Sequence, residues 1–390
     1  MKNVKYCGLL LFSILLIIQI TSCGGGGDDS PGISYTPGTP FITSDLAGTW
    51  YIFATNGDSI PAGNIVAGNL RGTLNIDQSG YVTGGAYTRS NGGTASFLGG
   101  QQGGLLTIDN AGVISGSTAT NLGVNFYIVS GKMNVAKDFI SFVSNTNNGE
   151  FNLFTAMRAG GTFASSDLAD TWYLFSASGD YAKMTLSDVL NSTAIVASPG
   201  GGFFNIDGNG SLRGTGFVTE TISNTALFLT SSTSTTTTPN GKINLNKDMM
   251  SFASSTTAGK FDLVTGMRAG GTFALSDLAG TWFISGTSSS TSVGNVTNEP
   301  TFSGTIILNS SGLVTGGSYT RPGSNGGTDT FTGGALTIDN NGVLGGNATT
   351  GLGDNITILS GKMHLSKSVM SLVGNTSHSE QDLLIFIKGS

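Results

Sequence analysis

The heptapeptide Ser44-Asp45-Leu46-Ala47-Gly48-Thr49-Trp50 decides how the rest of the chain is interpreted. It returns almost unchanged as Ser166-Asp167-Leu168-Ala169-Asp170-Thr171-Trp172 and as Ser276-Asp277-Leu278-Ala279-Gly280-Thr281-Trp282. The chain has 3 Trp, and each of them lies in one copy of this motif. The copies are spaced by the length of a small domain, which is too long for a solenoid repeat. The motif therefore predicts tandem domains of one kind.

The far end of each repeat is also shared. A Gly-Lys block precedes an apolar-rich segment, and the last segment closes on a basic residue. The blocks are Gly131-Lys132-Met133-Asn134, Gly241-Lys242-Ile243-Asn244 and Gly361-Lys362-Met363-His364, and the closing residues are Arg158, Arg268 and Lys388. Together with the Trp motifs, these blocks predict β repeats at residues 41–160, 161–270 and 271–390.

Composition and spacing both indicate short strands joined by tight turns. Glycine makes up 61 of 390 residues, charged residues are only 10%, and apolar residues alternate with the strand period of two. Several strands end in Asp-x-x-Gly, where the carboxylate can cap backbone N–H groups and the glycine can adopt a positive φ. These aspartates are Asp77, Asp109, Asp207 and Asp339.

The first repeat contains eight or nine predicted strands. They lie near 49–55, 72–77, 80–88, 94–98, 104–108, 112–118, 124–135, 139–144 and 150–157. Hairpin-linked strands form an up-and-down meander, and closing it into a barrel removes exposed edges. We therefore expect an all-β protein with three tandem antiparallel barrel-like or sandwich-like domains. In the second repeat, residues 186–190 predict one helical turn, and the Ser/Thr run at 231–238 predicts a long loop in place of a lost hairpin.

The N-terminus predicts export. Lys2 and Lys5 precede an apolar run that is short for a membrane span. Ile20-Thr21-Ser22-Cys23 resembles the bacterial lipoprotein signal, which implies that residues 1–22 are removed and that Cys23 is acylated. Acyl chains on Cys23 would hold the protein to a membrane.

Residues 23–40 follow the predicted anchor and predict a tether, because they are rich in Gly and Pro. In the logic of lipoprotein sorting, Gly24 after the acylated Cys implies the outer membrane. We therefore expect a lipid-anchored protein of the bacterial cell envelope, on the periplasmic or the surface face of that membrane.

The two ends of each repeat carry a resemblance to a known family. A capped turn, a Gly-x-Trp that opens the first strand and a basic residue that closes the last strand resemble the lipocalin-like (calycin) barrels. The resemblance implies that a Trp plugs one end of each barrel and that a cation stacks across it. These roles fall on Trp50, Trp172 and Trp282, with Arg158, Arg268 and Lys388 as partners. If the barrels are hollow, the resemblance also implies a small apolar ligand. The order of the segments resembles repeat lipoproteins of environmental bacteria, which implies no function.

Several residues allow a functional and a structural interpretation. The Trp residues could stack on a sugar, although one Trp per strand start favours a core plug. The Asp-x-x-Gly turns could ligate calcium, but they lack the further oxygen ligands of a calcium loop. Lys132 and Lys137, with their counterparts, could form a basic stripe; a solvated strand edge guarded by lysine is the favoured interpretation. Ser44 and Asp45 are best explained as a capped turn.

The sequence predicts no enzyme, no metal site and no cofactor. The chain has 2 His, His364 and His378, and no Gly-x-Ser-x-Gly in a strand-to-helix setting. His364 stands where the other repeats have Asn134 and Asn244, so the fold does not require it. Zinc has no ligand set, because the only cysteine left after processing is Cys23. A formal net charge of −6 argues against nucleic acid as a partner.

These observations favour a lipid-anchored envelope protein with a structural or binding role, of which capture of a small apolar ligand is one form. The alternative is a multivalent surface adhesion protein, because tandem copies supply avidity. A third hypothesis, an outer-membrane pore built from all the strands together, is disfavoured by the predicted lipid anchor and by the absence of an aromatic C-terminus. The ligand or protein partner is left open.

Overall fold

The computed structural model describes residues 39–58, 68–168, 170–180, 185–197, 205–206, 211–213, 241–255, 260–289, 301–321, 327–377 and 381–389. The predicted signal peptide, Cys23 and nearly all of the predicted tether lie outside these residues. So do Asp207, His378 and the Ser/Thr run at 231–238. Within the described residues, no helix combines the length and the apolar character needed to cross a membrane.

The first repeat forms one curled sheet of nine strands. They are β1 (Gly48–Asp58), β2 (Gly68–Ile76), β3 (Val82–Arg89), β4 (Thr94–Ser96), β5 (Leu106–Ile108), β6 (Val113–Ala119), β7 (Asn125–Met133), β8 (Phe139–Thr146) and β9 (Glu150–Arg158). Their order is β4-β3-β2-β1-β9-β8-β7-β6-β5. The strands predicted from the period of two are therefore confirmed, and β2 shows the largest difference because it begins at Gly68.

The second repeat is described in part. Its strands are β10 (Asp170–Asp180), β11 (Thr185–Ala197), β12 (Asn205–Ile206), β13 (Ser211–Arg213), β14 (Gly241–Ile243), β15 (Met249–Ser255) and β16 (Lys260–Arg268). The helical turn predicted at residues 186–190 is wrong, because this segment lies within β11 and pairs with β10 along its length. Cross-strand pairing here overrides the local helical pattern.

The third repeat is a closed barrel of eight strands. They are β17 (Gly280–Ser289), β18 (Thr301–Leu308), β19 (Val314–Thr320), β20 (Thr328–Ile338), β21 (Val343–Thr350), β22 (Asn355–Met363), β23 (Val369–Asn375) and β24 (Gln381–Lys388). β20 is continuous, whereas the matching stretch of the first repeat is split into β4 and β5 by a Gly-rich 3-10 turn, Gly100–Gln102. Isolated bridges from Tyr81 to Leu105 and from Phe97 to Thr120 join the two edges there.

The Asp-x-x-Gly turns form as predicted. Asp77 Oδ1 accepts hydrogen bonds from the Ser79 and Tyr81 amides, at 2.8 and 2.9 Å, and Gly80 has a φ of +88°. Asp109 and Asp339 make the same pair of bonds. The carboxylates are therefore used by the turns, as the structural interpretation predicted. Asn309 caps an equivalent turn that the Asp pattern did not identify.

The three repeats pack around a common apolar cluster, which we call the central core. It is built by side chains on the outer faces of the barrels, so these strands are buried on both sides. Its members are Phe53, Phe139, Val143, Leu153, Met157, Phe175, Ala177, Met249, Ala253, Leu263, Met267, Val369, Val373, Leu383, Ile385 and Ile387. Each repeat contacts both others: β2 packs on β15 and β16, β11 on β23 and β24, and β18 on β8 and β9. The repeats therefore form a closed ring with approximate threefold symmetry.

The strands lie in three separate sheets, one for each repeat. A single pore built from all the strands together would require one continuous barrel wall. The described strands therefore do not form such a pore.

Candidate functional site

A buried Trp lies at the start of the first strand of each repeat and covers that end of the sheet or barrel, which we call the plug end. The Trp50 indole Nε1 donates to the Leu46 carbonyl at 2.8 Å, and Trp172 and Trp282 donate to Leu168 and Leu278 at 3.0 and 2.7 Å. The three indoles are at most 2% exposed. Because no indole face is open to solvent, the sugar-stacking interpretation of these residues is wrong.

A cation covers each indole. The guanidinium carbon of Arg158 lies 4.4 Å from the Trp50 ring centre, that of Arg268 lies 5.3 Å from Trp172, and the Lys388 ammonium lies 5.1 Å from Trp282. Burial lowers the pKa of Arg158 and of Lys388. These pairs thus combine cation–π contact with closure of the barrel end.

The first barrel is filled by its own side chains. A cavity of about 30 Å³ lies inside it, lined by apolar groups that include Trp50, Phe97 and Ala156. A cavity of about 150 Å³ is the size that binds benzene. This cavity is therefore too small for the small apolar ligand that the lipocalin resemblance implies.

The lysines of the Gly-Lys blocks differ most clearly from the solvated strand edge that the sequence predicts. Lys132, Lys242 and Lys362 are at most 2% exposed, so they form neither a basic stripe nor a solvated strand edge. Each ammonium lies over a Phe of its own repeat and over an aromatic ring on the first strand of another repeat. The second contacts are Lys132 with Phe283 at 4.6 Å, Lys242 with Tyr51 at 5.8 Å and Lys362 with Tyr173 at 5.7 Å. Each lysine thus joins its own repeat to a neighbouring repeat, and the three contacts run in the same direction around the ring.

A second set of lysines pairs with the aspartates of the Ser-Asp-Leu motif. Lys137 Nζ lies 2.7 Å from Asp45 Oδ2, and the same oxygen accepts the Ile42 amide at 2.9 Å. Lys247 with Asp167 and Lys367 with Asp277 repeat the ion pair at 2.8 Å. The motif is therefore a capped turn, as predicted, that is also tied by charge to the β7–β8 turn and its counterparts.

Polar side chains meet at the joints between repeats. Thr155 Oγ1 lies 2.6 Å from Ser251 Oγ, and Thr265 Oγ1 lies 2.7 Å from Ser371 Oγ. Near the plug end, Asn244 Nδ2 donates to Asp138 Oδ2 at 3.1 Å. The same amide group donates to Asp248 Oδ1 at 2.8 Å. Equivalent levels of neighbouring barrels therefore meet, which places all plug ends on one side of the ring.

His364 lies in the joint between the second and third repeats. Its Nε2 is 2.8 Å from Asp248 Oδ1, and its Nδ1 is 2.7 Å from Ser366 Oγ. The order Asp–His–Ser resembles a catalytic triad, but Nδ1 also accepts the Ser366 amide at 3.2 Å, as a turn cap does. The Lys367 amide is bonded to the His364 carbonyl, so it is not available to stabilise an oxyanion. The described part of the chain shows no His, Cys, Asp or Glu grouping suited to a metal.

A partly buried ion pair that the sequence did not predict lies at the end of the first repeat opposite the plug. Arg89 donates to both carboxylate oxygens of Glu150, at 2.7 and 3.0 Å. Arg89 closes the triplet Tyr87-Thr88-Arg89, which returns in the third repeat as Tyr319-Thr320-Arg321. That identical triplet was the signal that could have identified this layer.

Two leucines project from the same end. Leu122, at the tip of the β6–β7 hairpin, is 63% exposed, and Leu352, at the matching β21–β22 tip, is 81% exposed. Both tips are fixed by backbone hydrogen bonds: Asn121 donates to the Ser96 carbonyl at 3.0 Å and Gly351 to the Thr330 carbonyl at 2.8 Å. We call this pair the tip leucines. They stand on equivalent hairpins, and because the plug ends share one side of the ring, these tips share the other.

Comparisons with known proteins give weak likeness. No protein-family model matches the sequence, and no curated protein matches it. Similar solved structures include transferrin-binding protein B of Haemophilus parasuis, at 8% identity and a TM-score of 0.28, covering 90% of this chain and 77% of that one. The same protein from Neisseria meningitidis has 11% identity and a TM-score of 0.29, with coverages of 88% and 77%.

A protein of unknown function from Nostoc punctiforme, of the DUF3598 family, has 10% identity and a TM-score of 0.21, with coverages of 88% and 96%. TM-scores this low do not establish a shared architecture or function. The fold class rests on the sheets of this chain themselves.

Proposed function

We propose that this protein is a lipid-anchored binding protein of the bacterial cell envelope. We further propose that it holds a macromolecular partner at the end of the ring opposite the Trp plugs. The observation that best supports this proposal is the pair of tip leucines. These two large apolar side chains stand in water at equivalent positions on ordered hairpins, so one partner surface could bury both of them. Burying one leucine contributes about 1.5–3 kcal/mol.

The chemistry of the rest of the molecule favours this proposal over the others. The cavity in the first barrel is smaller than one that binds benzene, which argues against capture of an apolar ligand there. The Ser366 and Lys367 amides beside His364 are bonded within the turn, which argues against their use as oxyanion donors. Two equivalent tips on one face would let a single molecule engage a repetitive surface at two points, which is the multivalent form of the same proposal.

The predicted anchor fits this arrangement. The chain enters the first barrel at the plug end, where Phe41 is bonded to Asn110. If Cys23 is acylated, a tether of 18 residues, 23–40, spans up to about 60 Å when extended. The plug end can then face the membrane while the tip leucines face outward.

The test is site-specific photo-crosslinking with the full chain in its native envelope. A benzophenone amino acid is placed at Leu122, at Leu352 and, as a control at the plug end, at Ile42, which is 59% exposed. The proposal predicts one shared crosslinked partner from the two tip positions and none from the control. No partner from either tip, or the same products from all three positions, would overturn it.

A further inference from the structure

The turn between β22 and β23 departs from its two counterparts at three positions. His364, Ser366 and Ser368 stand where the first repeat has Asn134, Ala136 and Asp138, and where the second has Asn244, Asn246 and Asp248. The backbone of the turn is nevertheless the same, since Lys137, Lys247 and Lys367 have φ values of +57°, +61° and +57°. The three departures are therefore not needed to make the turn.

Together the departures build a hydrogen-bonded chain from the buried joint to the surface. Asp248 Oδ1 lies 2.8 Å from His364 Nε2, and His364 Nδ1 lies 2.7 Å from Ser366 Oγ. Ser366 Oγ lies 2.6 Å from Ser368 Oγ. His364 is 1% exposed, whereas Ser366 is exposed. A proton can pass between solvent and the buried imidazole through this hydroxyl.

A second buried carboxylate faces the same place. Asp138, from the first repeat, is 1% exposed and accepts hydrogen bonds from Asn134 at 2.8 Å and from Asn244 at 3.1 Å. Burial raises the pKa of Asp138, and the neighbouring Asp248 carboxylate adds to the rise. Burial alone would raise the pKa of Asp248 too, but the hydrogen bond and charge of His364 outweigh it and lower that pKa.

The other charged groups around this cluster are already engaged. Arg158 lies beside the Asp138 turn and donates to the Lys137 and Ala47 carbonyls. The ammonium groups of the three turn lysines pair with the motif aspartates; the pairs are Lys137–Asp45, Lys247–Asp167 and Lys367–Asp277. These cations are held by other partners and make no ion pair with Asp138 among the described residues, although the charges of Arg158 and Asp138 still attract each other.

We propose that Asp138 is the proton-binding group of a cluster with Asp248 and His364 at the junction of the three repeats, and that a proton bound there tightens the ring. Each group comes from a different repeat, so the charge of the cluster acts directly on the joints. The inference concerns the ring itself and does not depend on the proposed partner at the tips.

The direction of the pH effect follows from the two aspartates. The folded state favours protonated Asp138, so its contribution to stability is lost as pH rises through its raised pKa and is present in full below the unfolded value of about 3.9. Asp248 has the opposite sign: its contribution is present above about pH 3.9 and is lost as pH falls through its lowered pKa. Stability should therefore rise as pH falls through the raised pKa of Asp138 toward about pH 3.9, and fall in stronger acid as Asp248 is protonated.

The main test compares the full chain with Asp138→Asn, which has the shape of the protonated carboxyl but cannot titrate. Thermal unfolding is followed at pH 7.5 and pH 4.5. We expect the wild-type midpoint to gain about 2–4 °C on the variant between the two pH values, the equivalent of about 1 kcal/mol. Parallel pH profiles of the two proteins would overturn the proposal.

A second measurement uses His364→Asn, which restores the residue that the other two repeats carry. The charge of His364 acts to lower the pKa of Asp138, so its removal should enlarge the gain in thermal midpoint between pH 7.5 and pH 4.5. A gain equal to that of the wild type would show that the two groups do not share one site, and would overturn the proposal.

Discussion

The first and third repeats follow the same strand order, yet their interiors are filled differently. At the same position in the last strand, the first repeat has Ala156 and the third has Phe386, both buried in their cores. The first barrel keeps a small cavity beside Ala156, and its wall is interrupted between β4 and β5. The third barrel has one continuous β20 in that place. The same strand pairing therefore accommodates two different interior packings, while the Trp plug and the apolar outer face are present in both repeats.

The largest expected effect is loss of the Phe386 ring. Phe386→Ala in the full chain should cost about 3–5 kcal/mol in the third barrel, because the neighbours cannot collapse into the space. Hydrogen exchange of β23 and β24 measures the loss locally. Phe386→Leu serves as the control, with a smaller loss because most of the volume is kept. If Phe386→Ala leaves exchange unchanged, the third barrel is not packed as described.

The second largest effect is expected at the plug ends, where the cation of the first repeat should stabilise the fold more than the cation of the third. Arg158 donates to the carbonyls of Lys137, Ala47 and Asp45, whereas Lys388 Nζ donates, within the described part of the chain, only to that of Asp277. We expect Arg158→Met to cost about 2–3 kcal/mol and Lys388→Met about 1 kcal/mol, since each lost bond contributes about 1 kcal/mol. Denaturant unfolding with a probe in each repeat measures both. Equal losses would mean that stacking on Trp, rather than the hydrogen bonds, holds the plug.

The smallest contrast is between Lys132 and Lys362, two of the lysines that lie at the joints between repeats. Lys362 Nζ donates to the Asn341 and Met363 carbonyls, at 2.6 and 3.1 Å, whereas Lys132 Nζ has no hydrogen-bond partner among the described residues. Lys362→Met should therefore cost about 1–2 kcal/mol more than Lys132→Met.

Burial lowers the pKa of Lys132 and that of Lys362 to about 8. Since the folded state favours the neutral amine, wild-type stability should rise as pH increases from about 8 toward 10.5. Each Met variant should lose its share of that rise in thermal unfolding at pH 7.5 and pH 9.5. A rise that survives in both variants would contradict the assignment.

The strands and turns could be predicted from local signals, because a period of two and Asp-x-x-Gly act within a few residues. The ring could not be derived in the same way. Its signal was the segment Phe139-Ile140-Ser141-Phe142-Val143, which is apolar on both faces and so predicts a strand buried on both sides. The sequence does not show what the second face of this segment packs against, so the Gly-Lys block before it predicts a solvated strand edge. The usual rule for strand lysines would place Lys132 in water, whereas its ammonium lies between aromatic rings of two repeats.

His364 shows the same limit. Its replacement of Asn could be identified from the sequence, but its partner Asp248 belongs to another repeat and lies far away along the chain. Only the arrangement of the barrels brings the two together. Conversely, the tip leucines lie in turns where no local rule distinguishes an exposed leucine from a buried one.

The closed ring is tested most directly where no linker joins the repeats. Thr155 with Ser251 and Thr265 with Ser371 meet across two joints, and Ser141 with Ile385 are the equivalent positions across the third. A Ser141→Cys/Ile385→Cys double variant of the full chain should form a disulfide as readily as the Thr155→Cys/Ser251→Cys control, with the fold retained. A disulfide in the control alone would show that the third and first repeats do not meet and would contradict the ring.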